Sequence, residues 1–174
     1  MPAYSADALL VSEGDSTLLT RIHSLPFGGE EAYLNRVELI EGRLPEKSGE
    51  CVIEASYTKK QSTYTVGTKL VVDKANEDLD TKLSTTEYTV VGIVHNANYF
   101  SFEREPASVG NGTVKLVFYI PQQDFAYEAY TEVYLTAEGA LEQDSLGDAY
   151  QTNIDTVKAN VEAIADAAEV ARAI

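Results

Sequence analysis

The sequence predicts an α+β protein: a β-rich body of mixed or antiparallel strands, in which Gly42–Val94 forms a barrel-like subdomain, followed by one long C-terminal helix. Two observations predict this. Short alternating or apolar β-branched runs, divided by Gly, Pro and polar connections, fill the chain as far as Ala137. Beyond Ala137 the composition becomes Ala- and acid-rich, and apolar residues recur at helical intervals.

The strands follow in order. Ala6–Ser12 and Ser16–His23 flank Glu13-Gly14-Asp15, a short Gly-containing connection, and read as a hairpin. Leu25–Glu31 carries Pro and paired Gly and reads as a loop. Arg36–Ile40, Cys51–Glu54, Lys69–Asp73, Tyr88–Val94 and Val114–Ile120 are further strands, with Thr131–Leu135 as the last. Lys74–Thr86 is polar and charged, a loop between two strands, and Gly110-Asn111-Gly112 supplies the positive-φ residues of a tight turn. Gly92, inside an apolar strand, marks a bulge or a close backbone approach.

The helix is expected over 145–174, starting at Ser145 or Asp148 and ending within a residue or two of Ile174, with Ser145 and Asp148 as an N-terminal capping arrangement. Ile154, Val157, Val161, Ile164, Ala168 and Ala171 recur at intervals of 3, 4, 3, 4 and 3, which makes one face apolar. Because fewer than three heptads are present, docking of this face onto a sheet is preferred to a coiled-coil seam, with the turns around Val157–Ile164 protected by that sheet. The helix runs off the chain without a Gly or Pro stop, and the first residues lack the basic and apolar regions of a signal peptide. Both ends therefore read as cuts in a longer protein.

Charge and residue supply narrow the function classes. The formal net charge of −15 would repel phosphate backbones, so nucleic acid is excluded as a partner. No apolar run approaches the 18 or so residues of a membrane-spanning helix. One cysteine, Cys51, cannot close an internal disulfide, and it lies in a strand-like run where a buried inert thiol is expected. The two histidines, His23 and His95, have no His, Cys or acidic residue three or four positions on, which argues against zinc. The acids Asp73, Glu77, Asp78 and Asp80 lack the ligand spacing of a Ca²⁺ loop. Neither a P-loop nor a Gly-x-Ser-x-Gly elbow occurs. The expectation is a chain without cofactor, metal or catalytic residues.

Aromatic residues remain as binding candidates. There are eleven Tyr and five Phe but no Trp, grouped as Tyr99, Phe100 and Phe102 and, further on, Phe118, Tyr119, Phe125, Tyr127, Tyr130 and Tyr134. About half should pack in the core, leaving Tyr99, Phe100, Phe102, Tyr127 and Tyr130 as a candidate surface for peptide, lipid or sugar.

The most specific stretch runs from Arg36 to Ile53. Leu39, Gly42, Arg43, Pro45, Glu50, Val52 and Ile53 stand at the spacing of the L-x-x-G-R-x-P-x-x-x-x-E-x-V-I segment of the extracytoplasmic domains of FtsX-like, MacB-like ABC transporter permeases, which the chain resembles. Val66–Val72, with Gly67, is similar to that family's x-G-x-x-L-x-V strand entry, and Tyr88–Val94, with Gly92, to its F/Y-x-V-V-G-I/V strand. These motifs cover about 36–100, a β-rich subdomain. On their own chemistry Gly42, Gly49 and Pro45 shape a loop between two strands, and Arg43 pairs with one of Glu38, Glu41, Glu46 and Glu50.

The resemblance implies a single extracytoplasmic domain, 1–174, at the outer face of a bacterial membrane. It would recognise a substrate or protein partner there, exchange motion with the membrane helices of the same permease, and depend on a separate cytoplasmic ATPase. The alternative is a stand-alone cell-surface module that binds sugar or peptide through its Tyr clusters.

Overall fold

The computed structural model describes residues 1–11, 17–26, 34–55, 64–98 and 104–172. The chain forms two compact units, Met1–Tyr134 and Leu135–Ile174. The first contains strands β1 (Pro2–Ala3), β2 (Ser5–Val11), β3 (Thr17–Leu25), β4 (Glu38–Gly42), β5 (Glu50–Glu54) and β6 (Lys69–Val72), the single turn of helix α1 (Leu79–Lys82), and β7 (Glu87–His95), β8 (Leu116–Pro121) and β9 (Glu132–Val133). The second contains a 3-10 turn, Ala140–Glu142, and helix α2 (Asp148–Arg172). The protein is α+β.

Seven strands share one sheet in the order β4-β7-β5-β8-β3-β2-β6, and β6 also pairs with β7. That last pairing closes six strands into a barrel and leaves β4 alongside β7. Strand β7 can serve three partners because its nine residues reach about 30 Å. On one edge it meets β6 at Glu87–Thr89 and then β4 from Gly92 to His95; its other edge holds β5. The β3–β8 and β5–β7 pairs are parallel and the rest antiparallel.

The barrel is wider in sequence than Gly42–Val94, since β2, β3 and β8 come from outside that range. Alternation fixes which face of a strand is buried but carries no information about which distant strand completes the ring. The β2–β3 hairpin pairs from Ser5↔His23 to Val11↔Thr17; its connection lies outside the described residues.

Strands β2 and β7 bury alternate residues, as one-sided strands should. Strands β5 and β8 are instead buried almost continuously. Their paired residues explain this: Ile53↔Phe118 belongs to a core with Leu10, Ile22, Tyr88 and Val90, and Val52↔Tyr119 to a second with Leu25, Val37 and Val114. Both faces of the β5–β8 pair are covered, and an unbroken apolar run is what such a position selects.

Three elements differ from expectation. The polar Lys74–Thr86 segment contains α1, entered through Asp78 at φ 53°. Thr131–Leu135 shortens to the two residues of β9, which pair with β1 as Pro2↔Val133 and Ala3↔Glu132. Helix α2 begins at Asp148, the later of the two expected starts, with Gly147 rather than Ser145 immediately before it, and the turn there is closed by Asp144, whose carboxylate accepts from the Leu146 N–H at 3.1 Å and whose carbonyl accepts from the Gly147 N–H at 2.8 Å.

Within the second unit, Asn153 Nδ2 donates to the Glu138 carbonyl at 2.9 Å and holds the first turns of α2 against the preceding segment. Ile154 and Val157 are half-buried. Val161 is 40% exposed and Ile164 70%, so the protection expected over Val157–Ile164 is lost from Val161 onward. Among the described residues no helix is long and apolar enough to cross a membrane. Residues 161–169 are exposed throughout, and a helical stretch that short is marginal in water without packing, so at low protein concentration the amides of 162–169 should exchange orders of magnitude faster than those of Val90 and Phe118. Equal protection of the two sets in hydrogen exchange would contradict this.

Candidate functional site

The loop joining β4 to β5 carries most of the motif residues, and two glycines fix its entry. Gly42 ends β4 at φ +76°, and a Cβ there would stand 2.2 Å from the Val91 carbonyl oxygen and 2.9 Å from the Gly92 Cα. A Cβ on Gly92 would meet the Arg43 and Glu41 carbonyl oxygens at 2.4 and 2.9 Å. The two backbones press together, and the Arg43 N–H donates to Val91 O at 3.0 Å. On either side of this contact the pairing slips, between Leu39 and Glu41 in β4 and between Cys51 and Val52 in β5. The extra residues are Ile40 in β4 and Val91 in β7, the two strands that meet at this contact.

Arg43 reaches back over this loop to Glu50. Its Nη1 donates to Oε2 at 2.7 Å and its Nη2 to Oε1 at 2.6 Å, the two-pronged geometry of a guanidinium on a carboxylate. The Glu46 N–H adds a third bond to Glu50 Oε2, at 3.0 Å. Arg43 is part-exposed while Glu50 is buried. Chiefly through Arg43, the Glu50 carboxyl is held down at about 2. Pro45 is half-buried.

The loop's far end is pinned by a residue the motif does not include. Gly49, at φ +77°, donates its N–H to Asp124 Oδ2 at 3.0 Å. Asp124 closes the 3-10 turn Gln122–Asp124 after β8, is fully buried, and has a second oxygen with no hydrogen-bond partner among the described residues. Gly67, at φ +96°, has open space where a Cβ would go and donates to Val90 O at 2.8 Å. The loop is thus fastened at Gly42, Glu50 and Gly49, and exposes the outer part of the Arg43 side chain.

These charges make one pH dependence specific. A carboxylate depressed in the folded state stabilises the fold fully above its unfolded value of about 4.5, and that contribution is lost as pH falls toward about 2. Urea midpoints should therefore drop over this window, and Glu50→Gln should flatten the drop. Salt should reduce it as well, because Arg43 is part-exposed. A Glu50→Gln profile parallel to wild type would contradict the assignment.

Tyr99, Phe100 and Phe102 lie outside the described residues. Tyr127 and Tyr130 join a stack that the sequence did not reveal. Tyr4 stands between Tyr130, at 4.9 Å between ring centroids, and Phe125 and Tyr127, at 5.2 and 6.1 Å. Phe125 anchors the stack in the core, Tyr127 is half-buried, and Tyr130 is 51% exposed. Tyr4 escaped notice because it precedes β2, far along the chain from its ring partners. Phe118 and Tyr119 are core residues.

Beside the stack Arg21 bridges Asp7, with Nε–Oδ1 at 2.7 Å, and Glu105; Asp7 also accepts from the Ser108 N–H at 2.6 Å. His23 is buried, stacks on Tyr119 at 5.5 Å, and lies 3.9 Å from Glu132. Burial lowers its pKa against the opposing pull of Glu132. Burial pushes the Cys51 thiol up, away from the thiolate that reacts. Among the described residues, no three His, Cys, Asp or Glu side chains converge as a metal site would require. What the site presents outward is a fastened loop with a part-exposed guanidinium and an aromatic stack with one ring half in solvent. No protein-family model matches the chain, and no curated protein matches it in sequence.

Proposed function

We propose that the chain is the non-catalytic extracytoplasmic domain of an FtsX-like, MacB-like ABC transporter permease. It recognises a substrate or protein partner outside the bacterial membrane and passes conformational change to and from the membrane helices of the same permease. ATP is hydrolysed by a separate cytoplasmic ATPase. One observation carries the reading beyond the motifs themselves: the three resembling segments, Leu39–Ile53, Val66–Val72 and Tyr88–Val94, meet around one strand as β4, β5 and β6 on β7. Residues that specify one another's close approach are expected to travel together as a unit, which supports reading them as one inherited module rather than three chance matches.

The test uses the full-length protein that carries this chain. Expressed with a tag in its own host, it should fractionate with the membrane, retain an ATP-binding-cassette subunit after detergent extraction, and expose Tyr130 to protease added outside intact cells. Recovery in the soluble fraction, or a protease-protected domain, would overturn the reading. The domain alone should give no calorimetric heat with ATP, and micromolar binding would count against it equally.

A second reading has its own support. The Tyr4–Tyr130 stack, with Tyr130 51% exposed, suits a stand-alone cell-surface module for sugar or peptide. Binding to glycans that Tyr130→Ala abolishes, in a protein without membrane helices, would select it.

A further inference from the structure

We propose that the apolar stripe of α2 is a coiled-coil seam that pairs with α2 of a second copy of this chain. The proposal stands on the helix itself and does not require the permease reading. Ile154, Val157, Val161, Ile164, Ala168 and Ala171 occupy alternating a and d positions of a heptad, with β-branched residues at the first two of each and Ala at the third. Neighbouring segments of its own unit cover the start of this stripe, but Val161 is 40% and Ile164 70% exposed. The seam is laid out along the helix and left open.

Charge selects a second copy as the occupant. In a chain of net charge −15, two copies can meet only where carboxylates are kept away from the contact. Helix α2 does this throughout: Asp148, Asp155, Glu162 and Glu169 all fall at position b, and Asp166 at f, on the side opposite the seam. The flanking e and g positions, from Gln151 to Ala167, hold no acid and one cation, Lys158. Lys158 already sits 3.9 Å from Glu162 on its own helix, so little charge is left over to call for an acidic foreign partner.

A membrane surface fits less well. Interfacial helices carry large Trp, Phe or Leu anchors and a basic polar face, whereas this stripe tapers to Ala and its opposite face is acidic. The Ala residues at 165, 167, 168 and 171 instead permit two helices to approach closely. With fewer than three heptads and far less area than a standard interface, the pair should be weak, with a dissociation constant in the upper micromolar range.

Sedimentation equilibrium of the 174-residue chain from micromolar to millimolar concentration should therefore show reversible monomer–dimer exchange. Hydrogen exchange across 161–168 should slow as concentration rises. Val161→Glu places a carboxylate in the seam and should weaken the dimer at least about tenfold. The variant should keep its helical circular dichroism, because Glu is a better helix former than Val. Glu162→Gln, on the outer face, should leave dimerisation unchanged. A chain that is monomeric at every concentration would overturn the proposal. So would a dimer that Val161→Glu does not weaken, or a monomer that binds phosphatidylcholine vesicles through α2.

Discussion

Gly92→Ala is expected to destabilise the first unit by about 3 kcal/mol or more, among the largest effects any single methyl could have here. Its Cβ would lie 2.4 Å from Arg43 O and 2.9 Å from Glu41 O, and both obstacles are backbone. A side chain could rotate away; a strand end must move as a body. Gly42→Ala faces Val91 O at 2.2 Å and adds the left-handed φ of +76°, which alone costs about 1–2 kcal/mol for a residue with a Cβ. Because both substitutions force apart the same contact between the end of β4 and β7, the double variant should lose less than the sum of the two. Gly67→Ala isolates the conformational part, since its φ is +96° and no described residue lies within 4 Å of the new methyl. Denaturant midpoints of the four variants measure all of this. A Gly92→Ala protein as stable as Gly67→Ala would mean that the β4–β7 contact yields freely.

What the sequence disclosed about the fold was local. Strands β2, β3, β5, β6, β7 and β8 were legible because each carries its own burial signal, alternating in Tyr88–Val94 and continuous in Val117–Ile120. The helix was legible from its stripe, and it ends within the expected range. Sequence could not disclose the closure of the barrel by β6 on β7 or the parallel pairing of β3 with β8, because neither partner's pattern depends on the other's identity. The same limit hid Asp124 and Tyr4. Each acts on residues far along the chain, Asp124 on Gly49 and Tyr4 on Tyr130, and an Asp after Gln-Gln or a Tyr between two short strands has no local signature. That Arg43 pairs with a carboxylate was readable, but not which of Glu38, Glu41, Glu46 and Glu50 it takes, because all four lie close to it in the chain and only the folded loop brings Glu50 to the guanidinium.

That contrast bears on how the motif loop works. Gly42, Gly92 and the Arg43–Glu50 pair set the loop's shape, while Asp124 connects the loop to the turn after β8. Downstream of that turn the chain enters the aromatic stack at Phe125 and Tyr127. Asp124, which holds the loop, and Phe125, which anchors the stack, are therefore consecutive residues of one segment. Asp124→Ala tests the connection, because it should loosen the loop while leaving the Arg43–Glu50 pair in place.

Phe118→Ala should cost about 3–5 kcal/mol, a large share of the 5–15 kcal/mol that typically separates a folded domain from its unfolded chain. Phe118 has no exposed surface and sits on β8 opposite Ile22 of β3 and Ile53 of β5. Its ring also meets Tyr88 of β7 at 5.7 Å, tilted by 58°. One side chain thus touches strands on three sides of the ring, and neighbours held in a closed barrel have little freedom to collapse into the space left behind. The denaturant midpoint should fall while its slope stays unchanged, since the surface exposed on unfolding is nearly the same. Exchange of β3, β5 and β8 amides should rise together, because these three have a partner on each edge and no free side from which to open singly. Leu141→Ala and Leu146→Ala, at residues 99% and 95% exposed, should leave the midpoint where it is. A loss below about 1 kcal/mol in Phe118→Ala, or fast exchange confined to β8, would show that the strands around Phe118 behave as an open sheet rather than a closed one.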